Sequence, residues 1–350
     1  MDNRNQVEQR EQQVSFFHPN LEHFWKADEI DSRLRKPPSR QEAFALAFAI
    51  VAIGLAVWVQ DQLFVIPFDY NVYFLAAGGT LTRYYYAIWI LPLFQLWAVL
   101  PFTWGYVLWA LLSIPCIYFA GRIFGGPTTL TLISFQMLYG LYMGQITSLL
   151  VFGLALGWWG LAHRRWHLAG LGFWLASTKF QIGLPFGFLL WLTADISWRD
   201  RLRVLILPAC LSLLSLILYP GWPQNLVARL QIAPPYDWAS ISLWQWIGPA
   251  ALLFWLPPLL IPMDRGKKFL SLVAAIPLTM PYFQQADLLA LFVLPVGWLP
   301  VILGNLGYLF FKYNFQALKL LSIVPLSIYL GAILPATYNW MRAYLLHKGQ

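Results

Sequence analysis

Apolar residues run along this chain in long stretches separated by short polar or basic intervals. The first stretch, Ala43–Val59, is about 17 residues, just enough to cross a ~30 Å hydrocarbon core as a helix. Others follow at roughly 84–100, 104–120, 128–143, 145–162, 168–194, 204–219, 246–262, 269–284, 288–303 and 318–335. The pattern predicts an all-α, polytopic integral membrane protein with about eight to ten transmembrane helices, some short apolar segments being re-entrant or partial. Residues 1–42 form a polar tail of mixed charge, ending in Lys36-Pro37-Pro38-Ser39-Arg40, and the transmembrane domain is expected over 43–350. A polar stretch of this length is too long for the n-region of a cleavable signal.

Basic residues set the expected topology. Arg33, Arg35, Lys36 and Arg40 precede the first span, whereas Asp61 and Asp69 follow it. The positive-inside rule puts the N-terminus and the tail in the cytoplasm, with 61–83 and 220–245 as outer loops. His163-Arg164-Arg165-Trp166-His167, Arg199–Arg203 and Arg265–Lys268 mark cytoplasmic loops. The stretch 168–194 therefore begins and ends on one side. At 1.5 Å per residue it is too short to cross twice, so it reads as a hairpin of two short helices broken near Lys179-Phe180-Gln181. Parity over 84–162 also requires a partial crossing, broken at Pro92 or at Gly140–Gly144.

Composition sharpens this picture. Hydrophobic residues make up 59% of the 350, charged residues 11%, and the mean hydropathy is +0.59. A soluble domain carries about 25% charge, so a water-soluble globule is excluded. The tail holds seven Lys/Arg and eight Asp/Glu; the remainder holds sixteen and seven. The basic residues of the membrane part are scattered singly, which suits anionic lipid headgroups and not a nucleic acid. Cys116 and Cys210 lie in apolar runs and imply no disulfide. His163 and His167 share a helical spacing, but two arginines stand between them. No HExxH, Walker loop, GxSxG or GxGxxG before a helix is present, and neither a metal nor a cofactor is expected.

After Glu42 the carboxylates are few: Asp61, Asp69, Asp195, Asp200, Asp237, Asp264 and Asp287. Asp195, Asp200 and Asp264 adjoin basic loops, which leaves Asp61, Asp69, Asp237 and Asp287 for the outer face. Asp69 stands in Pro67-Phe68-Asp69-Tyr70-Asn71-Val72-Tyr73-Phe74, too apolar for a solvated loop. It is either a helix N-cap or a carboxylate held for chemistry. Asp287 likewise reads as a cap or a site residue, Asp61 as an interfacial charge, and Asp237 as a turn residue. Among cations, Lys179 in mid-hairpin costs about 2.5–3.5 kcal/mol to insert unless paired. It either snorkels or meets a phosphate or carboxylate. Arg83 and, more weakly, Arg229 read as interface anchors or phosphate clamps. Trp238 and its neighbours in 220–245 can stack on sugars or form an interfacial belt.

These residues resemble a known family. Phe68-Asp69-Tyr70-Asn71-Val72-Tyr73-Phe74-Leu75-Ala76-Ala77 is similar to the first outer loop signature of glycosyltransferase family 87, polyprenol-phosphate-mannose-dependent mannosyltransferases of the GT-C fold. Gly144-Gln145-Ile146-Thr147-Ser148-Leu149-Leu150 looks like that family's GQxxxLL element. Ala169-Gly170-Leu171 with Ala176-Ser177-Thr178-Lys179, and Pro281 through Asp287-Leu288, resemble two later elements in the same order. The chain departs from the pattern after Tyr86, where Ala87 and Ile88 replace the usual Pro-Pro, and before the late Asp, where Ala286 stands.

The resemblance implies a GT-C-like bundle that moves a hexose, in that family mannose, from a polyprenyl-phosphate donor to a lipid or glycan acceptor at the outer face of the cell membrane. It implies Asp69 as general base, with Lys179, Arg83 or Arg229 on the donor phosphate. Tyr70, Tyr73, Gln145, Asp287 and Trp238 are then expected against sugar or acceptor, Asp287 alternatively orienting the site. The other reading is a non-catalytic polytopic protein, either a structural subunit or a lipid or solute transporter. Oligomeric state is not legible.

Overall fold

The computed structural model describes residues 24, 26–81, 84–232, 240–309 and 315–348, without the side chains of 229–232, 315–316, 343–344 and 346–348. Helices, with short 3-10 turns, make up the described fold; its one isolated bridge joins Ser240 to Gln284. The chain is an all-α, polytopic membrane protein.

In the tail, helix α1 (Ala27–Arg35) carries Asp28 and Glu29 in its first turn and Arg33 and Arg35 in its last, the favourable arrangement for a helix dipole. Ser39 then opens α2 (Arg40–Leu63) with a reciprocal cap: its hydroxyl accepts from Glu42 N–H at 3.2 Å, and the Glu42 carboxylate accepts from Ser39 N–H at 2.8 Å. The helix extends beyond the expected Ala43–Val59 at both ends, because this cap starts it early and the polar residues Gln60 and Asp61 continue it. The short helices α3 (Phe68–Ala77) and α4 (Leu91–Trp97) follow, and α5 (Phe102–Phe124) runs back to a left-handed Gly125. Next come α6 (Thr128–Leu132), α7 (Phe135–Met143), α8 (Thr147–Ala162), α9 (Trp166–Ala176) and α10 (Phe180–Thr193). Then follow α11 (Trp198–Leu218), α12 (Trp222–Ile232), α13 (Trp244–Ile247), α14 (Leu256–Leu260), α15 (Arg265–Thr279), α16 (Leu289–Phe292), α17 (Leu299–Gly304) and α18 (Ile323–Lys348).

By length and composition, four helices among the described residues can cross a bilayer: Arg40–Leu63, Phe102–Phe124, Trp198–Leu218 and Ala317–Arg342. A fifth crossing results if Thr128–Met143 and Thr147–Ala162, bent by 117°, make one broken span. The rest of the apolar sequence, which suggests eight to ten spans, lies in shorter helices and 3-10 turns. Prolines shape the C-terminal half of that material: Pro249 opens a 3-10 segment, Pro257 and Pro258 sit in the first turn of α14, and Pro277 lies inside α15.

Two full-length helices are poorly covered by protein. Phe44, Phe48, Val51, Leu55 and Trp58 on α2 are exposed, as are Leu202, Leu205, Ile206, Leu213 and Ile217 on α11. Such faces are stable only against hydrocarbon, so they mark the lipid boundary. Packing inside relies on small residues. Gly153, Gly157 and Gly160 on α8 press on α9 so closely that a Cβ at Gly172 would lie 2.2 Å from the Gly157 nitrogen. The central α15 is buried from Phe269 through Thr279.

The two ends of the bundle differ in chemistry. At one end the Arg122 guanidinium donates to Glu42, at 2.7 and 2.9 Å, and to the carbonyls of Arg33, Lys36 and Pro37. Arg33 answers by donating to the carbonyls of Arg122 and Ile123. His163 meets Asp31 at 2.9 Å, and the buried Phe24 ring stacks on Trp158 and Phe124. The tail helix is therefore fastened to the bundle. The hairpin α9–α10 returns to this same end, where Arg201 donates to carbonyls at Trp191, Leu192 and Ala194, and Arg265 to that of Thr193. Its break falls at Ser177–Lys179, within one residue of the expected place. Gly183 permits the turn: a Cβ there would overlap the Ala176 carbonyl oxygen.

Candidate active site

The bend between α7 and α8 is forced by Gly144, which caps α7 in the left-handed region at φ 70°. A break at membrane depth frees carbonyl groups that must find donors. Here Tyr106 Oη donates to Leu141 O at 2.8 Å, Gln60 Nε2 to Tyr142 O at 2.8 Å, and Trp109 Nε1 to Gly144 O at 3.1 Å. The residue after the break, Gln145, is thereby turned inward, and its Nε2 donates to Asp69 Oδ2 at 2.5 Å. Tyr86 Oη reaches Asp69 Oδ1 at 3.4 Å.

Asp69 is not an N-cap. Pro67 occupies that position without a side-chain bond, and Asp69 stands in the first turn of α3 with its carboxylate turned into the protein, 8% exposed. Burial pushes its pKa up to about 7, against the opposing pull of the Lys179 charge and the Tyr86 bond, with the Asp287 charge adding to the rise and the Gln145 bond opposing it. At neutral pH this carboxyl is poised between charged and neutral forms, as a general base requires.

A second group lies beside it. Lys179, at the hairpin turn, is 2% exposed; its Nζ donates to Asp287 Oδ1 at 2.6 Å and to Gln284 Oε1 at 3.3 Å. The ammonium is ion-paired in the interior, so snorkelling does not describe it. Asp287 is fully buried; its Oδ1 also accepts from Thr147 Oγ1 at 2.8 Å and its Oδ2 from Gln284 N–H at 3.2 Å. It serves as a cap and as the Lys179 counter-ion at once. Its oxygens are thus engaged within the protein, which favours the orienting role over direct contact with a sugar. The turn is tied to the Asp69 side by Ala87 N–H, which donates to Thr178 O at 3.1 Å.

Tyr70 and Tyr73 lie inside the protein. Both are buried, and neither presents a surface to a sugar in this conformation. Tyr70 packs edge-on against Phe102 and Tyr106, and the Tyr73 ring stacks on Phe94 at 4.6 Å while its hydroxyl accepts from Ile146 N–H. They hold α3 and the Gln145 backbone in place. Arg83 and Trp238 lie outside the described residues. Arg229 falls on α12, its side chain outside them also. Asp61 is exposed at the end of α2, with Gln62 as its bonded neighbour, and Asp195 is exposed. Asp264 caps α15, and Asp237 lies outside the described residues. Among the described residues no three His, Cys, Asp or Glu side chains group as a metal site.

Tyr86, Thr147 and Gln284 complete the arrangement without having stood out as candidates. Thr147 lies two residues past the helix break, and Gln284 with Asp287 forms a cap pair three apart; those spacings are the only signal. Two buried polar atoms next to the cluster lack a protein partner, Gln145 Oε1 and Thr178 Oγ1. Leaving such atoms unsatisfied costs about 1–3 kcal/mol each.

Depth follows from helix lengths. α9, α10 and α15 all start or finish at the end holding Arg201 and Arg265, and their other ends reach the Lys179–Asp287 level. Fourteen or fifteen residues at 1.5 Å each put the cluster roughly 20 Å from that basic end. The fold and this buried polar centre define a polytopic α-helical membrane protein. Comparison with protein-family models, with curated proteins and with solved structures finds no match.

Proposed function

We propose that the protein is a membrane glycosyltransferase that moves a hexose, mannose by the family resemblance, from a polyprenyl-phosphate donor to a hydroxyl acceptor. The observation that carries this reading is the pairing of Asp69, poised near neutrality and held by Gln145, with the neighbouring Lys179–Asp287 ion pair. In the reaction an acceptor hydroxyl gives its proton to Asp69. Its oxygen bonds to the sugar anomeric carbon as the bond to the phosphate oxygen breaks, and the phosphate leaves with the electron pair. Lys179 uses two of its three N–H groups on Asp287 and Gln284, which leaves one for a phosphate oxygen. A GT-C-like architecture fits the short helices and re-entrant hairpin around the site.

The positive-inside rule puts the basic end in the cytoplasm, so donor and acceptor meet at the extracytoplasmic side of a cell membrane. The test is turnover of a polyprenyl-phosphate hexose by the purified chain in vesicles, followed by mass spectrometry. The parent chain should transfer sugar and Asp69→Asn should not, with equal insertion of the two. Transfer at parental rate by Asp69→Asn overturns the reading.

One observation favours a second reading, a non-catalytic membrane protein. Asp287 is saturated by Lys179, Thr147 and Gln284, as a purely structural lock would be. In that case no donor lipid is consumed by any variant.

A further inference from the structure

Residues 54, 57, 58 and 61 fall on one stripe of α2 by the 3.6-residue period. That stripe forms one wall of a groove of about 590 Å³, closed by the 64–67 linker and by Phe102, Thr103 and Tyr106 at the start of α5. The walls are apolar: Val57, Trp58, Val65, Ile66, Pro67 and Phe102. Phe64 is 94% exposed, and Trp58 and Ile66 are exposed beside it, so the groove opens on the apolar outer face that α2 turns to lipid. Its polar end holds Asp61 and Gln60 with the hydroxyls of Thr103 and Tyr106; no Lys or Arg lines it. Gln60 and Tyr106 are bonded to each other and to the broken α7 backbone. Asp61 is the charge left facing the groove mouth.

We propose that this groove holds one acyl chain of an amine-bearing zwitterionic phospholipid, its headgroup ammonium on the Asp61 carboxylate. Charge complementarity selects the occupant: a lone carboxylate attracts an ammonium and repels a headgroup of net negative charge. Geometry agrees, since Gly54 lies seven residues below Asp61, roughly 10 Å down the helix, where the upper part of an acyl chain runs. Gly54 provides the space: a Cβ there meets nothing within 4 Å. This goes beyond the proposed sugar transfer and does not depend on it, although the groove wall of Phe102 and Tyr106 also supports Tyr70, next to Asp69.

The experiment is native mass spectrometry of the full chain released from vesicles of equimolar phosphatidylethanolamine and phosphatidylglycerol with identical chains. The parent should retain one phosphatidylethanolamine about three- to fivefold over phosphatidylglycerol, the discrimination expected of one interfacial charge contact. Asp61→Asn should erase the preference while retaining lipid. Gly54→Leu, whose Cβ meets no neighbour and whose branch projects into the groove, should lose the retained lipid at an unchanged melting temperature, and Gly54→Ala should keep it. Equal retention of the two lipids by the parent, no retained lipid, or undiminished retention by Gly54→Leu overturns the proposal.

Discussion

Gly144 lies close against Tyr70: a Cβ on Gly144 would lie 2.5 Å from the Tyr70 Cβ and 3.3 Å from its nitrogen. The same glycine has φ 70°. Both conditions exclude a side chain, and together they fix Gln145 against Asp69. Gly144→Ala should therefore lose roughly 1–3 kcal/mol of stability from backbone strain, with further loss from the overlap. The effect on the site should exceed the effect on the fold, because α7 and α8 must separate from α3 to admit a methyl group. A variant with both parental melting temperature and parental sugar transfer would show that this contact does not set the site.

The raised pKa of Asp69 gives two opposite pH dependences. Its carboxyl titrates near 7 in the fold and near 3.8 when unfolded, so the folded state binds the extra proton. The stability this confers is fully present below about pH 3.8 and is lost as pH rises through about 7. In the glycosyltransferase reading, transfer needs the charged form, so kcat/KM should rise with pH through the same value. Asp69→Asn carries no such proton. Its melting temperature should fall less between pH 5 and pH 8 than that of the parent, and its transfer should drop by about 10²–10⁴-fold. Parallel stability profiles for the two proteins would rule out a perturbed Asp69.

Much of this arrangement was legible in the sequence as elements, and little as contacts. The hairpin broken at Lys179 followed from arithmetic: an apolar run flanked by arginines on both sides is too short to cross twice. The break at Gly140–Gly144 was one of two candidates, and the glycine pair marked it. Asp69, Lys179 and Asp287 stood out because charge is scarce in this chain. Their pairing did not, since Lys179 and Asp287 are 108 residues apart and no local rule joins them. Thr147 and Gln284 are common residue types whose roles arise only where two breaks meet. The tail reads from its sequence only as a polar, mixed-charge cytoplasmic segment. Its reciprocal lock of Arg33 with Arg122 depends on backbone carbonyls, which have no sequence signature.

The Lys179–Asp287 pair predicts non-additive mutants. Both groups are buried, so removing one leaves an uncompensated charge, at about 3–5 kcal/mol. Lys179→Met and Asp287→Leu should each destabilise the chain strongly, whereas the double variant should recover most of the loss. In the glycosyltransferase reading the double variant folds yet transfers no sugar, because the phosphate has lost its ammonium. Thermal unfolding of the three variants in one lipid composition checks the first statement. Single variants as stable as the parent would show that the pair is not formed.

The tail lock makes the last prediction. Arg122 is a single buried guanidinium that satisfies Glu42 and three carbonyls spanning Arg33 to Pro37, and its Cζ sits over the Tyr118 ring, 5.2 Å from the centroid. No other side chain can supply five donors in one plane, so lysine is a poor substitute. Arg122→Lys should loosen α1 without unfolding the spans, leaving the tail only the Asp31–His163 contact and the buried Phe24 and Ile30 as ties. Trypsin should then cut after Arg33 or Arg35 at least tenfold faster than in the parent, while the membrane core stays intact. Asp31→Asn should loosen the same segment less, since one partly exposed pair is worth under about 1 kcal/mol. Equal cleavage rates for parent and Arg122→Lys would mean that the apolar plug, and not the arginine lock, holds the tail.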